Sequence, residues 1–193
     1  MRYEKGHSDV TRQHIIDVAS RRFREQGVAA AGIASVMSDA GLTNGAFYTH
    51  FESKEDLFRQ VLLDALGKRK ELLGGVIDSG AGLEGVVRNY LSARHRDHPG
   101  KGCTTSALAA EVARHPKSTR EVFTSKIDEF IELMAAQFPA PSAQARRRDA
   151  IALYGMMVGT LQLARAVSDK NFSDEILESG IEAAIAFINR DAG

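Results

Sequence analysis

The apolar residues of this chain recur at helical spacing along most of its length. Within residues 53–74, for example, apolar positions fall three and four residues apart, so they line one face of an α-helix. No segment alternates apolar and polar residues as a half-buried strand does, and no Asn-Gly turn lies between β-branched runs. The pattern therefore predicts an all-α fold of about nine helices.

Glycine, proline and capping residues divide this pattern into elements. We expect residues 1–8 to be frayed, residues 78–82 to form a loop, and residues 139–141 to break the chain between two long helices. Ser173 should cap the last helix, with Asp174 and Glu175 in its first turn opposing the helix dipole. The expected helices cover residues 8 or 9 to 26, 33–41, 43–50, 53–74, 83–97, 104–114, 117–138, 142–167 and 173–189.

Residues 33–58 have the pattern of a helix-turn-helix. One face of the first helix is apolar, and Gly41 supplies the left-handed conformation that ends it. Thr43 can cap a second, short helix, and Ser53 with Asp56 reads as a capping box that opens a third, longer one. A short helix that follows a glycine turn and carries polar side chains outside suits entry into a DNA major groove.

The same stretch resembles the recognition region of the tetracycline-repressor (TetR) family. The matching positions are Ala40, Gly41, Leu42, Thr43, Phe47, Tyr48, His50, Phe51, Lys54 and Leu57. The resemblance is specific over residues 11–58 and rests on length and helical layout beyond them. The sequence departs from the family pattern at Ala31-Gly32, where a Ser or Thr cap is usual, and at Met37, where Ala is usual. The resemblance implies an N-terminal three-helix DNA-binding domain, followed by a C-terminal helical domain for ligand binding and dimerisation.

We place the helix-turn-helix domain at residues 1–55 and the effector-binding and dimerisation domain at 56–193. The structural boundary should fall within the long helix 53–74, and a tilt of this helix can then move the DNA-binding domain. Basic and acidic residues each number 25, and residues 1–51 carry six basic and five acidic ones. DNA affinity should therefore come from a few contacts placed twice by a dimer, since there is no broad positive field.

Seven residues are candidates for contact with double-stranded operator DNA: Arg12, Thr43, Asn44, Ala46, Tyr48, His50 and Lys54. Asn44 can make bidentate contact with adenine, and the methyl group of Ala46 can meet a thymine methyl. The last three match family positions that usually hold or flank phosphate, and Arg12, near the start of its helix, could also reach a phosphate. Phe47 and Phe51 are expected in the core beneath these side chains.

Two helices near the carboxyl end are candidates for the dimer interface. The helix from Ser142 to Val167 is apolar on nearly every face, and Gly155 and Gly159 give it a groove for close backbone approach. The helix from Ser173 to Asn189 is also strongly apolar. One interpretation is a central core helix and its cover. The other, which the resemblance also implies, is a homodimer in which both helices of each subunit form a four-helix bundle.

An effector cavity is expected among the helices between residues 83 and 167. Methionine and aromatic side chains leave adaptable space for an apolar ligand, although each of them can equally be plain core. The candidates are Phe123, Ile127, Phe130, Met134, Tyr154, Met157 and Gln162.

The single cysteine, Cys103, is a separate candidate. It precedes a helix, and a thiol at a helix N-terminus has a lowered pKa and can be an accessible thiolate. The run GCTTSALAAEV at residues 102–112 is also similar to a TetR subgroup that senses electrophiles through a cysteine there. The alternative is a small buried hydrophobe that caps a turn. His95, His98 and Cys103 match no firm zinc spacing.

These features predict a ligand-responsive transcriptional regulator, most simply a repressor, that binds a palindromic operator as a homodimer. A small molecule or a thiol-reactive compound would release it. The alternatives are an all-α small-molecule carrier without DNA function and a small all-α enzyme. No phosphate-binding glycine loop, nucleophile elbow or HExxH motif occurs, so we expect no catalysis and no cofactor. The lone cysteine and the lack of a membrane-length or signal-peptide apolar run predict a cytoplasmic protein.

Overall fold

The computed structural model describes residues 3–139 and 141–190, and these contain helices and no strand. The predicted all-α class is therefore confirmed. Short turns of other helix type lie at Asn44–Thr49, Ile77–Ala81 and Pro99–Lys101. The α-helices of the described residues are α1 Tyr3–Gln26, α2 Ile33–Asp39, α3 Lys54–Val76, α4 Gly82–Tyr90, α5 Ala93–Asp97, α6 Thr104–Val112, α7 Lys117–Ala135, α8 Ala143–Ala166 and α9 Lys170–Asn189.

The chain divides into two compact units. The first comprises the chain up to Leu66 together with Pro99–Thr124, and the second comprises Gly67–His98 and the chain from Ser125 onward. The division falls inside α3, and α6 belongs to the first unit with the amino-terminal helices. The predicted boundary between residues 55 and 56 separates the DNA-binding part of the chain from the effector-binding part. It stays a prediction.

In the first unit, α1 packs against α2, α6 and the turn Pro99–Lys101. The core of this unit contains Ile15, Phe23 and Phe58, all fully buried. The rings of Phe23 and Phe58 meet edge to face, with their centroids 5.7 Å apart. Nε of Arg24 donates a hydrogen bond to the carbonyl of Gly100 at 3.0 Å. This bond fixes the turn before α6 against α1.

In the second unit, α8 packs along α9, and α4 and α5 pack against α9 and α8 respectively. The two long helices approach closely at Gly180, where an added Cβ would lie 2.3 Å from Cγ2 of Thr160. Only glycine fits there without a shift. Arg96 of α5 pairs with Asp97 at 2.7 Å and with Asp174 of α9, which ties these elements together.

Two predicted helix starts are corrected by the structure. The first helix begins at Tyr3 rather than at Ser8 or Asp9, so helical backbone runs through both expected cap positions. Met1 and Arg2 of the segment expected to be frayed lie outside the described residues. The last helix begins at Lys170 rather than at Ser173, because Asp169 is its cap and accepts the Phe172 N–H at 2.7 Å.

Ser173 has a different role from the one expected. Its side chain is buried, and its hydroxyl donates to the carbonyl of Ala164 at 2.6 Å. Asp174 and Glu175 therefore lie beyond the first turn of α9. The predicted helix 83–97 is also two helices, α4 and α5, because the backbone leaves helical geometry at Leu91 and Ser92 caps α5 by accepting the His95 N–H at 3.2 Å.

The segment expected to be a loop at residues 78–82 is largely a π-helical turn. Helix α3 continues through Gly74 and Gly75 to Val76, and the helical path ends only where Gly80 and Gly82 adopt positive φ values of 80° and 57°. At the predicted break 139–141, Ala140 lies outside the described residues. Beyond it Ser142 caps α8, as predicted, by accepting the Ala145 N–H at 3.1 Å. Among the described residues no helix is long and apolar enough to cross a membrane.

Candidate nucleic-acid interface

The turn between α2 and the next helix has the geometry expected from the sequence. Gly41 has a φ of 69°, and the N–H of Leu42 donates to the carbonyl of Met37 at 2.9 Å, which closes the end of α2. At the other end of α2, Gly32 holds the cap position and contributes no side-chain hydrogen bond. The departure from the family pattern at Ala31-Gly32 is therefore a real loss of a side-chain cap.

The short second helix, Asn44–Thr49, is a 3-10 helix. Thr43 occupies its cap position with extended backbone, but the predicted side-chain capping bond is absent. The Thr43 carbonyl accepts the Ala46 N–H at 3.1 Å instead, because 3-10 geometry pairs residues three apart. The hydroxyl of Thr43 is thus not used for capping, and the residue is exposed.

Two buried phenylalanines hold this helix against the first unit. Phe47 and Phe51 are 0% and 2% exposed, as predicted, and their rings lie 5.6 Å apart. The ring of Tyr48 meets that of Phe47 edge to face at 5.1 Å, yet Tyr48 remains 67% exposed. Burial of the two phenylalanines therefore fixes the helix so that Tyr48 stands outside.

The third helix opens with the predicted capping box. The hydroxyl of Ser53 accepts the Asp56 N–H at 3.1 Å. The Asp56 carboxylate reaches back to the N–H of Glu52 at 3.3 Å, one residue earlier than in the usual form of the motif. These two bonds fix the start of α3, a few residues beyond the end of the 3-10 helix.

Two of the candidate cations make contacts within the first unit. The guanidinium of Arg12 lies over the ring of Phe51, 5.0 Å from its centroid. Nζ of Lys54 donates to the carbonyl of Ala29 at 3.3 Å. Both residues are half-buried. Each therefore contacts its own unit and still exposes part of its surface to solvent.

All seven candidate DNA residues belong to the first unit. Thr43, Asn44 and Tyr48 are exposed, and the other four are half-buried. Their contacts with bases and phosphates stay a prediction. The reasoning from sequence missed Glu111 of α6, whose carboxylate accepts the N–H groups of Val28 and Ala29 at 2.9 and 2.8 Å. No local signal could have found it, because the partners are 82 and 83 residues apart.

The effector candidates are divided between the two units. Cys103 and Phe123 lie in the first unit and the other six in the second. Cys103 is the cap residue of α6 and is only 1% exposed. The remaining candidates of the second unit are buried except for Ile127, which is half-buried, and Gln162, which is exposed. Of them, Phe130 lines a cleft of about 140 Å³.

The second unit holds one histidine with a strongly shifted pKa. Burial lowers the pKa of His95 to about 4, and the positive charges of Arg69 and Arg165 lower it further. Its Nδ1 lies 2.6 Å from the carbonyl of Tyr90, so the neutral ring donates its N–H there. Within residues 3–139 and 141–190, no three His, Cys, Asp or Glu side chains come together as a metal site would require.

The first unit contains the part of the chain that matches a known protein family in sequence. The sequence profile of the bacterial regulatory proteins of the tetR family matches residues 15–61, which run from the core of α1 into α3. This segment of the chain is therefore similar to the amino-terminal region of tetR-family regulators. The HTH-type transcriptional regulator AcrR of Shigella flexneri is 45% identical over 60 residues, 31% of this chain and 28% of AcrR. The HTH-type transcriptional repressor KstR2 of Rhodococcus jostii is 32% identical over 91 residues, 45% of each protein.

The chain thus spans less than half the length of either of these tetR-family relatives. The fold match extends further than the sequence match. The crystal structure of the reduced form of E. coli NemR superposes with a TM-score of 0.75 at 21% identity, over 90% of this chain and 94% of NemR. That likeness shows that the chain has the fold of NemR over most of its length.

Proposed function

We propose that this protein is a ligand-responsive transcriptional repressor that binds a palindromic DNA operator as a homodimer. The observation that carries the proposal is the exposed row Thr43, Asn44 and Tyr48 on a short helix anchored by the buried Phe47 and Phe51. Reading a major groove requires such a rigid helix with polar side chains outside. The tetR family consists of transcriptional regulators, and KstR2 is named a repressor.

The proposed contacts divide into two kinds. Asn44 and Ala46 read base edges, the first by a bidentate bond to adenine and the second through its methyl group. Tyr48, His50 and Lys54 hold phosphates and fix the register without reading sequence. Thr43, at the cap of the helix, and Arg12, over the ring of Phe51, complete the phosphate contacts.

The proposed dimer interface is the free face of α8 and α9. Ile151 and Leu163 of α8 and Phe172 of α9 are 51%, 55% and 51% exposed, and exposed apolar patches mark interaction surfaces. A Cβ added at Gly155 or Gly159 would meet no atom of the described residues within 4 Å, so their groove is open to a second copy. A four-helix bundle would bury this face and set the distance between the two reading heads.

Release from DNA is proposed to follow binding of a small molecule in the second unit, or modification of Cys103. Either event would stabilise a state in which the two heads no longer match the operator half-sites. Because Cys103 is buried, a thiol reagent would reach it only after local opening at the start of α6.

A gel-shift titration on DNA upstream of the protein's own coding region tests the DNA function. Wild-type protein should retard it with strong salt dependence. Asn44→Ala should weaken specific binding by about tenfold or more, while Lys54→Ala should weaken binding to all sequences and reduce the salt slope by about 1. Tight ligand binding without any retardation would instead support the carrier.

The thiol route has its own test. Cys103→Ser should leave operator binding intact and abolish release by an electrophile such as a quinone. Unchanged release by the electrophile in this variant would reject the thiol route while leaving the DNA function standing.

A further inference from the structure

The second unit contains a small cleft at the end of α3, and the effector candidate Phe130 is one of its walls. It has a volume of about 140 Å³, similar to the roughly 150 Å³ of an engineered cavity that accepts benzene. Its walls are mostly apolar and include one guanidinium and one carboxamide. The lining residues are Arg69, Leu72, Leu73, Val76, Val86, Asn89 and Phe130.

Arg69 is positioned by an aromatic ring rather than by an acid. Its guanidinium lies over the ring of Tyr90, 4.9 Å from the centroid, and Tyr90 is itself 1% exposed. In the part of the chain that the structure describes, Arg69 forms no ion pair with a carboxylate. Stacking uses the face of a guanidinium and leaves the donors in its plane for another group.

The neighbouring charges do not neutralise Arg69. Glu129, next to Phe130 in the chain, is engaged by Lys126 at 2.8 Å and Lys70 at 3.1 Å, and both lysines lower its pKa. His95 is neutral at neutral pH because burial lowers its pKa to about 4. A positive, half-buried group therefore faces an apolar cleft without a counter-ion of its own.

We infer that this cleft binds a small organic monocarboxylate with an apolar body, with Arg69 as its counter-ion. A guanidinium matches a carboxylate with two parallel hydrogen bonds, and the carboxamide of Asn89, another lining residue, can donate a further one. The leucine, valine and phenylalanine walls take the apolar body. The inference names the effector class of the proposed regulator, and its regulatory meaning rests on that proposed function. The binding of the carboxylate does not depend on the proposed DNA function.

The test uses benzoate, which suits the size of the cleft, and benzamide as a neutral molecule of the same shape. Both are titrated into the full-length protein by calorimetry, with no DNA present. Benzoate should bind at least tenfold more tightly than benzamide, because a charge-assisted pair to Arg69 is available only to the anion. Arg69→Met should remove this preference and weaken benzoate by about tenfold or more, while Arg69→Lys should give an intermediate affinity.

The matched control is Arg88→Met, which removes an arginine of α4 that pairs with Glu84 and does not line the cleft. It should bind benzoate like the wild type. Circular dichroism melts of all variants establish that they are folded. Val86→Phe, which fills the cleft from one wall, should abolish binding of both probes if it remains folded.

Equal affinity for benzoate and benzamide, undiminished benzoate binding by Arg69→Met, or no binding of benzoate by the wild type would each overturn the inference. Gel shifts with benzoate then separate the two proposals. If benzoate binds as expected but leaves DNA retention unchanged, the cleft stands as a carboxylate site and its regulatory role fails. If the protein retards no DNA at all, the proposed function fails and the calorimetric result still decides the cleft.

Discussion

The carboxylate of Glu111 accepts the backbone N–H of Ala29 at 2.8 Å, although 82 residues separate them. Its other oxygen accepts the N–H of Val28 at 2.9 Å. A side chain on Gly27, which has a φ of 83°, would approach that carboxylate to 3.1 Å. Within the first unit, α6 thus fixes the turn that joins α1 to the helix-turn-helix.

Removing this carboxylate should destabilise the first unit. Glu111→Ala leaves two backbone donors without their acceptor, so we expect a loss of about 2 kcal/mol in the free energy of unfolding. Glu111→Gln keeps one acceptor and should lose about half as much. Urea unfolding followed by circular dichroism measures both. Glu121→Ala, which breaks an exposed pair with Lys117, is the control and should change stability by less than about 0.5 kcal/mol.

The close approach of α8 and α9 predicts a substitution that reverses the usual effect of alanine. Gly180→Ala should destabilise the protein by about 1–3 kcal/mol, because its Cβ would clash with Thr160. Combining it with Thr160→Ala should recover part of the loss. Gly74→Ala in α3 meets no atom within 4 Å and should stabilise by up to about 1 kcal/mol. Thermal unfolding of these three variants and the wild type would contradict the packing if Gly180→Ala also stabilised the protein.

His95 predicts a pH dependence of stability. Its pKa is about 4 in the folded chain against 6.5 when unfolded, so the unfolded state binds more protons between these values. Stability from this group is therefore complete above about pH 6.5 and is lost as the pH falls towards 4. After allowance for solvent screening, we expect a loss of about 1 kcal/mol between about pH 7 and about pH 5.

The measurement compares the wild type with His95→Gln across that range. The difference between their free energies of unfolding should shrink as the pH falls. A constant difference would show that His95 does not titrate in this window. Cationic partners lower the pKa values of Asp97 and Glu129. Protonation of these carboxylates therefore changes stability only at lower pH, and it does so alike in both proteins.

The proposed dimer predicts a monomeric variant. Leu163→Glu places a charge on the exposed apolar face of α8, where burial against a second copy would be costly. It should elute as a folded monomer in size-exclusion chromatography with light scattering, and its operator affinity should fall because two half-sites are no longer bound together. Val10→Glu alters an equally exposed apolar residue of the first unit and should leave the oligomeric state unchanged.

Several features of this protein follow from local sequence alone. The turn at Gly41, the capping box of Ser53 and Asp56, the cap at Ser142 and the burial of Phe47 and Phe51 were all predictable. Each depends on residues within four positions of one another, where helical periodicity and backbone conformation act directly. The family resemblance is also local, because its specific part lies within residues 11–58.

Features that join distant segments were not predictable. The Glu111 contact with Ala29, the assignment of α6 to the first unit, the fit of Gly180 against Thr160 and the stacking of Arg69 on Tyr90 depend on how helices pack. The start of α9 shows the same limit, because Ser173 is a good local cap but is buried instead beside Ala164. The sequence by itself determined that the chain is helical and which faces of its long helices are apolar. Only the tertiary structure decided which of those faces meet, because an apolar stripe shows that a helix face is buried and not which other face it packs against.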